Sequence, residues 1–472
     1  MAKKPSAKLT PVHIFGYGCG DAGGVVGLYM VSGFMTRFLQ VNLEVNAALL
    51  ATILLIWNIW DAVNDPLMGT IMDICFAKAK PGADKFRPWI LASIPVLAIG
   101  MISFFTVPAM LDGFAMIAAA FILKIVFEAG YTMMNIGMGS LIGNMATNDS
   151  ERAVLASARG FGSTLGGAVG GMLIPLCLGK FGMGNDGYAK TAIIMAIPMV
   201  ILVFLHYALT EERTKGAAVE KTAEEKEAEK FKITDIWNII TKNRAFLALV
   251  LHSICICGVQ ALAQGATTYM YADVLKNISI QSLGSAMSTA TMVIILVSAP
   301  IMTKKWDLVL IIRTCLLAGV VAYVGLLAYA LMVSEMIPVL FVIWNSLAGA
   351  LVQMSVQMQW GLVAESIDYN EYLTGKRNEG TIYGFFSLSR RIGSTIANSA
   401  SVLIIAAIGY DAAAANAGLD QSAGTIMGIK LMVLGFPLIA ALGSWSCFTF
   451  IWNINKDVRA KMAEWKAAKA AK

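Results

Sequence analysis

The sequence predicts an all-α membrane protein of twelve transmembrane helices in two six-helix bundles, with both termini cytoplasmic. Three observations carry this. Only 14% of the 472 residues are charged, against roughly 25% in soluble globular chains, and 57% are apolar. The charges crowd into short stretches between apolar runs such as 14–39, 192–209 and 432–452, each long enough for a hydrocarbon core about 30 Å thick. Finally, 26 of the 36 Lys and Arg residues fall in the N-tail, alternate loops, a central loop and the C-tail. Four (Arg37, Lys180, Lys190, Lys276) lie at the opposite face and six inside spans, an asymmetry that sets orientation. This composition excludes a soluble enzyme, a disordered scaffold and, despite a net charge of +6, a nucleic-acid binder.

The elements follow in order. Residues 1–11 form a basic cytoplasmic tail (Lys3, Lys4, Lys8). No small-residue cleavage site follows a short apolar core, so the first span is expected to be retained. Residues 12–209 hold six spans, near 12–38, 44–73, 88–108, 112–144, 154–180 and 189–209. Residues 210–244 form a charged cytoplasmic linker with eight basic and eight acidic residues, including EKTAEEKEAEKFK, read as a solvated run. Residues 245–452 hold six more spans, near 245–275, 281–302, 308–331, 336–366, 380–409 and 424–452. Residues 453–472 form a cytoplasmic tail. A 6+6 layout around a charged linker is that of the major facilitator fold, whose halves are parallel repeats; two unrelated bundles are the alternative. The seven cysteines lack metal-ligand spacing and read as small buried hydrophobes. With three histidines, a His-based zinc site is not expected.

An ionisable side chain in hydrocarbon is costly, so each one within a span is a candidate functional group. In the second span Asp61, Asn64 and Asp65 stand at i, i+3 and i+4, sharing one helical face. Two carboxylates and an amide carbonyl suit Na⁺, or a proton if desolvation raises one Asp pKa, and nothing in the spacing separates the two. Ion pairing of these Asp residues with Lys or Arg to lock helices is the structural alternative. The fourth span presents Glu128, Thr132 and Asn135 on one face, and Thr132 adds a hydroxyl to the cation set. Lys124 precedes Glu128 by one turn, so an intrahelical ion pair is an equal alternative there.

Asp21 lies within GYGCGDAGG, where small residues permit close backbone approach. Arg159 precedes FGSTLGGAVGGM, which reads as tight helix packing, since no strand precedes it to make a nucleotide loop. In the tenth span Gln353, Gln357 and Trp360 share a face suited to a polyhydroxylated ligand, or else the glutamines bond helix to helix. Arg390 and Arg391 point about 100° apart, so one of them is expected to reach the cavity.

The segments WDAVNDPLMGTIMD with KFRPWIL, NDSERAVLASAR, and AESIDYNEYLTGKRNEGTIYG together resemble the glycoside-pentoside-hexuronide:cation symporter family, typified by the melibiose carrier, within the major facilitator superfamily. The resemblance runs from about residue 12 to 452. It implies that Asp61, Asn64, Asp65 and Thr132 match the cation-coupling positions, with Asp61 and Asp65 as ligands if Na⁺ is used. It further implies that Asp21 and Arg159 match positions holding sugar hydroxyls and that Arg391 stands where the family has a cavity Lys. Gly69, Asp73, Lys85 and Arg87 resemble the cytoplasmic gating motif, and Asp368, Glu371, Lys376, Arg377 and Glu379 a counterpart loop in the second half. The chain departs from the family where Asn135 replaces a sugar-binding Asp, Gly139 a stacking Trp, and Val356 the tenth-span aromatic, with Trp360 one turn away. The cation motif is intact and the sugar pocket rebuilt. A lost carboxylate beside Arg159 and Arg391 leaves the pocket more positive, with Glu128 a candidate to offset it, which points to an anionic sugar such as a hexuronide.

The expected function is cation-coupled symport of a sugar, glycoside or hexuronide by alternating access, with substrate contacts from Asp21, Glu128, Asn135, Arg159, Gln357, Trp360 and Arg391. Moving one positive charge through about 100 mV supplies roughly 2.3 kcal/mol, close to 50-fold accumulation. No cofactor is expected beyond the coupling Na⁺ or H⁺. The partners are a small-molecule sugar and the lipid bilayer, with no nucleic acid, and the chain is expected to act as a monomer in a cell membrane. A lipid or lysolipid carrier on the same scaffold, or a non-transporting membrane sensor, are the alternatives. No Ser/His pairing or HExxH supports catalysis.

Overall fold

The computed structural model describes residues 8–77, 83–213, 242–333, 335–375 and 379–470, and all its long elements are helices. In chain order they are α1 (Pro11–Arg37), α2 (Ala47–Ala77), α3 (Arg87–Phe104), α4 (Gly113–Met145), α5 (Asp149–Phe181) and α6 (Asn185–Leu209). Then come α7 (Arg244–Val274, interrupted by two π turns), α8 (Gln281–Thr303), α9 (Leu308–Met332), α10 (Pro338–Thr374) and α11 (Glu379–Ala407). They are followed by the short α12 (Ala412–Asn416), α13 (Ala423–Ile451, also with π turns) and α14 (Lys456–Ala470). Among the described residues eleven helices are long and apolar enough to cross a membrane. Helix α11 forms where an eleventh span was expected but is not among them; it carries Arg390, Arg391 and several serines.

Polar side chains at the helix starts satisfy backbone N–H groups that have no partner within the helix. Thr10 caps α1 in a reciprocal box with His13, with Pro11 in the first turn. Asn148 accepts from the Glu151 N–H at 2.9 Å, so α5 begins five residues earlier than hydropathy alone suggests. Helix α10 runs eight residues past its expected end, until Gly375 takes a left-handed φ of 72°. Asp368 and Glu371 therefore lie on a helix, not in a loop: a charged run with helical propensity simply continues the span. All seven cysteines are free, with Cys19 and Cys447 buried and Cys75 exposed.

The chain divides into two compact units. Unit 1 comprises residues 1–218 with two later segments, Tyr271–Ala286 and Tyr410–Gln421. Its core is α1 against α5 and α6, and α3 against α4. The α1–α5 seam is glycine-built: a Cβ on Gly162 would sit 2.0 Å from the Gly18 carbonyl oxygen, and one on Gly166 2.3 Å from that of Ala22. Gly162→Ala is thus expected to cost about 1–3 kcal/mol of stability by overpacking, seen as a lowered thermal midpoint in detergent. Gly160→Ala, with nothing within 4 Å, should be neutral or stabilising. The later segments are tied in by a buried Arg37, which pairs with Asp273 at 2.8 Å, while the Tyr410 hydroxyl donates to the same carboxylate at 2.8 Å.

Unit 2 comprises residues 219–270, 287–409 and 422–472. Here α9 packs on α10, and α11 on α7, where Gly258 and Gly393 bring the two backbones to 3.3–3.6 Å of a would-be Cβ. Helix α14 docks through Arg459, which pairs with Asp307 and Glu365, and Lys466, 2.8 Å from Asp368. Burial pushes the Asp307 carboxyl up, but Arg459 and the N–H groups of Val309 and Leu310 outweigh it and hold the carboxyl below its usual range. A depressed carboxyl stabilises the fold above its unfolded pKa of about 3.9 and loses that contribution as pH falls through the folded value. Proteolytic cleavage of α14 should accordingly be slow and flat from pH 8 to about 5, and accelerate only below about pH 4.

Candidate functional site

In unit 1 the expected cation residues meet across α2 and α4. The Asn64 amide donates to the Thr132 hydroxyl at 2.9 Å, and that hydroxyl donates to Asp65 Oδ1 at 3.2 Å. Asn64 is 2% exposed and Thr132 4%, whereas Asp61 and Asp65 are only part-buried. Thr132 retains one lone pair and Asp65 its second oxygen, so together with the Asp61 carboxylate, one turn earlier, the set offers hard oxygen donors of the kind a small cation takes. The Asn64 carbonyl is a further donor, its O and N assignment resting on the hydrogen-bond network. Among the described residues no group of three or more His, Cys, Asp or Glu gathers as a metal site, so any cation here relies on these neutral oxygens as well.

One turn along α4, Asn135 meets Arg159 of α5. Arg159 Nη2 donates to Asn135 Oδ1 at 2.5 Å, and its Nε lies 3.5 Å from Asp21 Oδ1 on α1. Gly139 permits this placement: a Cβ there would stand 3.3 Å from Arg159 Nη1. Among the described residues the arginine has a single carboxylate partner, and its other contact is a neutral amide. Because Thr132 and Asn135 are three residues apart on one helix, the cation set and the arginine share a face of α4.

Glu128 does not supply the missing negative charge. It is buried and ion-paired with Lys124, whose ammonium also lies 5.7 Å from the centre of the Trp57 ring. Of the two readings open at the sequence level, the intrahelical pair is the one formed. Tyr131 was missed by the sequence reading; it lies within reach of the charges of Asp21, Glu128, Arg159 and Asp65. Its position immediately before Thr132 was the available signal.

The gating candidates divide. Arg87 pairs with Asp84 at 2.8 Å and covers the Tyr207 ring, and Glu212 accepts from the Phe86 and Arg87 N–H groups to cap α3. Lys85 lies over Phe76 and Phe86, and Gly69 faces open space. Asp73 is helical and Glu379 begins α11, but their side chains lie outside the described residues, as do Lys376 and Arg377 altogether. Glu371 is buried on α10 beside the Asp368 pair with Lys466.

In unit 2, Gln353 and Gln357 form no side-chain hydrogen bond among the described residues, so neither fastens one helix to another. Trp360 is 41% exposed, with Phe386 edge-on at 5.4 Å. Of the adjacent arginines, Arg391 is exposed, while Arg390 is part-buried and lies over the Trp360 ring.

Comparison with known proteins agrees with this architecture. Residues 16–456 match the model of the MFS/sugar transport protein family. A putative sulfoquinovose importer of Escherichia coli (strain K12) is 25% identical over 95% of this chain and 92% of its own length. The glucuronide carrier protein homolog of the same organism is 25% identical, covering 93% and 91%. The isoprimeverose transporter of Lactiplantibacillus pentosus is 25% identical, covering 90% and 86%. Among solved structures, a bacterial homolog to the human lysosomal transporter Spinster aligns with a TM-score of 0.63 at 11% identity, covering 94% of this chain and 98% of that one. The nucleoside transporter NupG aligns at 0.57 and 12%, covering 93% and 100%; both likenesses concern the fold alone. A match spanning nearly every helix, with transporters and not enzymes as relatives, places this chain in the MFS/sugar transport protein family as a multi-pass membrane transporter.

Proposed function

We propose that the protein is a cation-coupled symporter of an acidic sugar, of the glycoside-pentoside-hexuronide type, working as a monomer by alternating access with both termini cytoplasmic. The observation that carries this is the arrangement on α4, where the Asn64–Thr132–Asp65 oxygen cluster stands one turn from an arginine held by one carboxylate and one amide. Cation occupancy at the first cluster changes the field at the second, and Tyr131 lies within the field of both. Arg159 needs a further anionic partner, because Glu128 is already neutralised by Lys124. Relatives named for sulfoquinovose, a glucuronide and 2,3-dihydroxypropane-1-sulfonate support an acidic substrate.

The coupling ion is Na⁺ or H⁺, and transport assays separate them. Uptake of methyl β-D-glucuronide into vesicles bearing the protein is expected to rise at least about tenfold with an inward gradient of one of these ions and not the other; a tenfold gradient is worth about 1.4 kcal/mol. Equal uptake with no gradient of either kind would exclude symport. Uptake of the glucoside equal to the glucuronide would exclude the acidic substrate.

A further inference from the structure

Arg390 is held among the described residues by neutral partners. Its Nε donates to Cys257 Sγ at 3.4 Å, and its guanidinium carbon lies 5.3 Å from the centre of the Trp360 ring. Among the described residues no carboxylate pairs with it, and its two terminal nitrogens make no hydrogen bond. A thiol is a weak acceptor, and an aromatic face recovers only part of what a guanidinium loses in leaving water. The placement is nonetheless well supported by three helices. Cys257 and Gly258 are adjacent on α7, Arg390 and Gly393 are one turn apart on α11, and the Gly258–Gly393 approach presses the two helices together at that level. Trp360 reaches in from α10 and is steadied by Phe386.

From this we infer that Arg390, parked on Trp360, is a specificity-determining residue that pairs with the oxyanion of a sugar acid, carboxylate or sulfonate. The terminal nitrogens form the fork that matches such a group two-pronged. When the anion arrives the guanidinium shifts toward it, and the apolar face of a pyranose ring packs on the indole face it leaves. The sequence reading favoured Arg391 for the cavity. This inference rests on the transport reading above but assigns the acid-sensing role to a residue of unit 2.

The test is calorimetric titration of the full-length protein in detergent with methyl β-D-glucuronide, methyl α-sulfoquinovoside and methyl β-D-glucoside. The wild type is expected to bind at least one of the two acids about tenfold or more tighter than the glucoside. Arg390→Gln should erase that preference to within about threefold, chiefly by weakening acid binding about tenfold, since truncating one side of a charged pair weakens the partner it served. Arg390→Lys should keep part of the preference, about threefold to tenfold, because it retains charge without the fork. A preference unchanged in Arg390→Gln overturns the inference, as does a preference erased by Arg159→Gln alone. If Arg390→Gln binds nothing, Arg390→Lys decides: a retained preference supports the role and a lost one overturns it. Binding of none of the three sugars by the wild type overturns the acidic-sugar reading and this inference with it. Preference for the glucuronide over the sulfonate, or the reverse, identifies the acid.

Discussion

Asp65→Asn is expected to collapse sugar accumulation from about tenfold to unity in vesicles given a tenfold inward gradient of the coupling ion, and Asp61→Asn to do the same. The substitution keeps side-chain volume and leaves the Asn64–Thr132 bond in place, but removes one of two anionic donors from the oxygen set. A cation held by neutral oxygens and a single carboxylate loses about half of the charge–charge attraction that offsets its dehydration. Exchange of internal for external sugar, which needs no net cation movement, should persist. Accumulation unchanged in both variants would show that coupling lies elsewhere. The driving force also depends on the substrate. The roughly 50-fold accumulation that one charge gains from about 100 mV applies to a neutral sugar. A monoanionic sugar carried with one cation moves no net charge, so the membrane potential contributes nothing and the ion gradient alone sets the limit. Imposing a potential should therefore leave glucuronide accumulation unaltered at one-to-one stoichiometry, and raise it if two cations move per sugar.

Arg159→Gln is expected to weaken sugar binding by about 30- to 150-fold, the equivalent of roughly 2–3 kcal/mol for truncating one side of a charged, part-buried pair. Two effects combine: Asp21 loses its guanidinium partner, and the substrate loses a donor fork. Unlike the Arg390 substitution, this one should weaken both sugars, because the resemblance implies that Asp21 and Arg159 hold hydroxyls, and weaken the acid somewhat more, because Arg159 also lacks a second anionic partner; part of the acid preference should remain with Arg390. Asn135→Asp probes the same site from the other side. It gives Arg159 a second carboxylate, and is expected to shift preference from acid toward neutral sugar by about tenfold, for a gain or loss near 1.4 kcal/mol. Titration calorimetry with the two sugars reads both variants; unaltered affinities in both would remove Arg159 from the site.

Much of the site was legible because helical spacing is local. Asp61, Asn64 and Asp65 had to share a face whatever the tertiary arrangement, and Thr132 joined them in space as the family motif implied. The glycine-rich α5 likewise announced close packing, which the Gly162 and Gly166 contacts with α1 realise. Other questions turned on geometry that spacing leaves open. Lys124 and Glu128 were placed to pair or to face a substrate with equal ease, and only burial beside Trp57 favoured the pair. Arg390 and Arg391 are neighbours in sequence, and the Gly258–Gly393 approach decides which one meets the Trp360 ring.

The sparse charge, the apolar runs and the bias of Lys and Arg were sufficient to establish a helical membrane protein and to single out the few ionisable groups within its spans. That follows because the cost of placing charge in hydrocarbon depends on composition along the chain and not on which helices are neighbours. Partnership was decided only by the tertiary structure. Whether Arg159 meets a carboxylate or an amide, and whether Arg390 rests on an indole, depends on interhelical approach of a few ångströms. So does the attachment of segments Tyr271–Ala286 and Tyr410–Gln421 to unit 1 through Arg37. Electrostatic interactions fall off over that same distance, which is why these residues were legible as candidates in the sequence and acquired roles only in the fold.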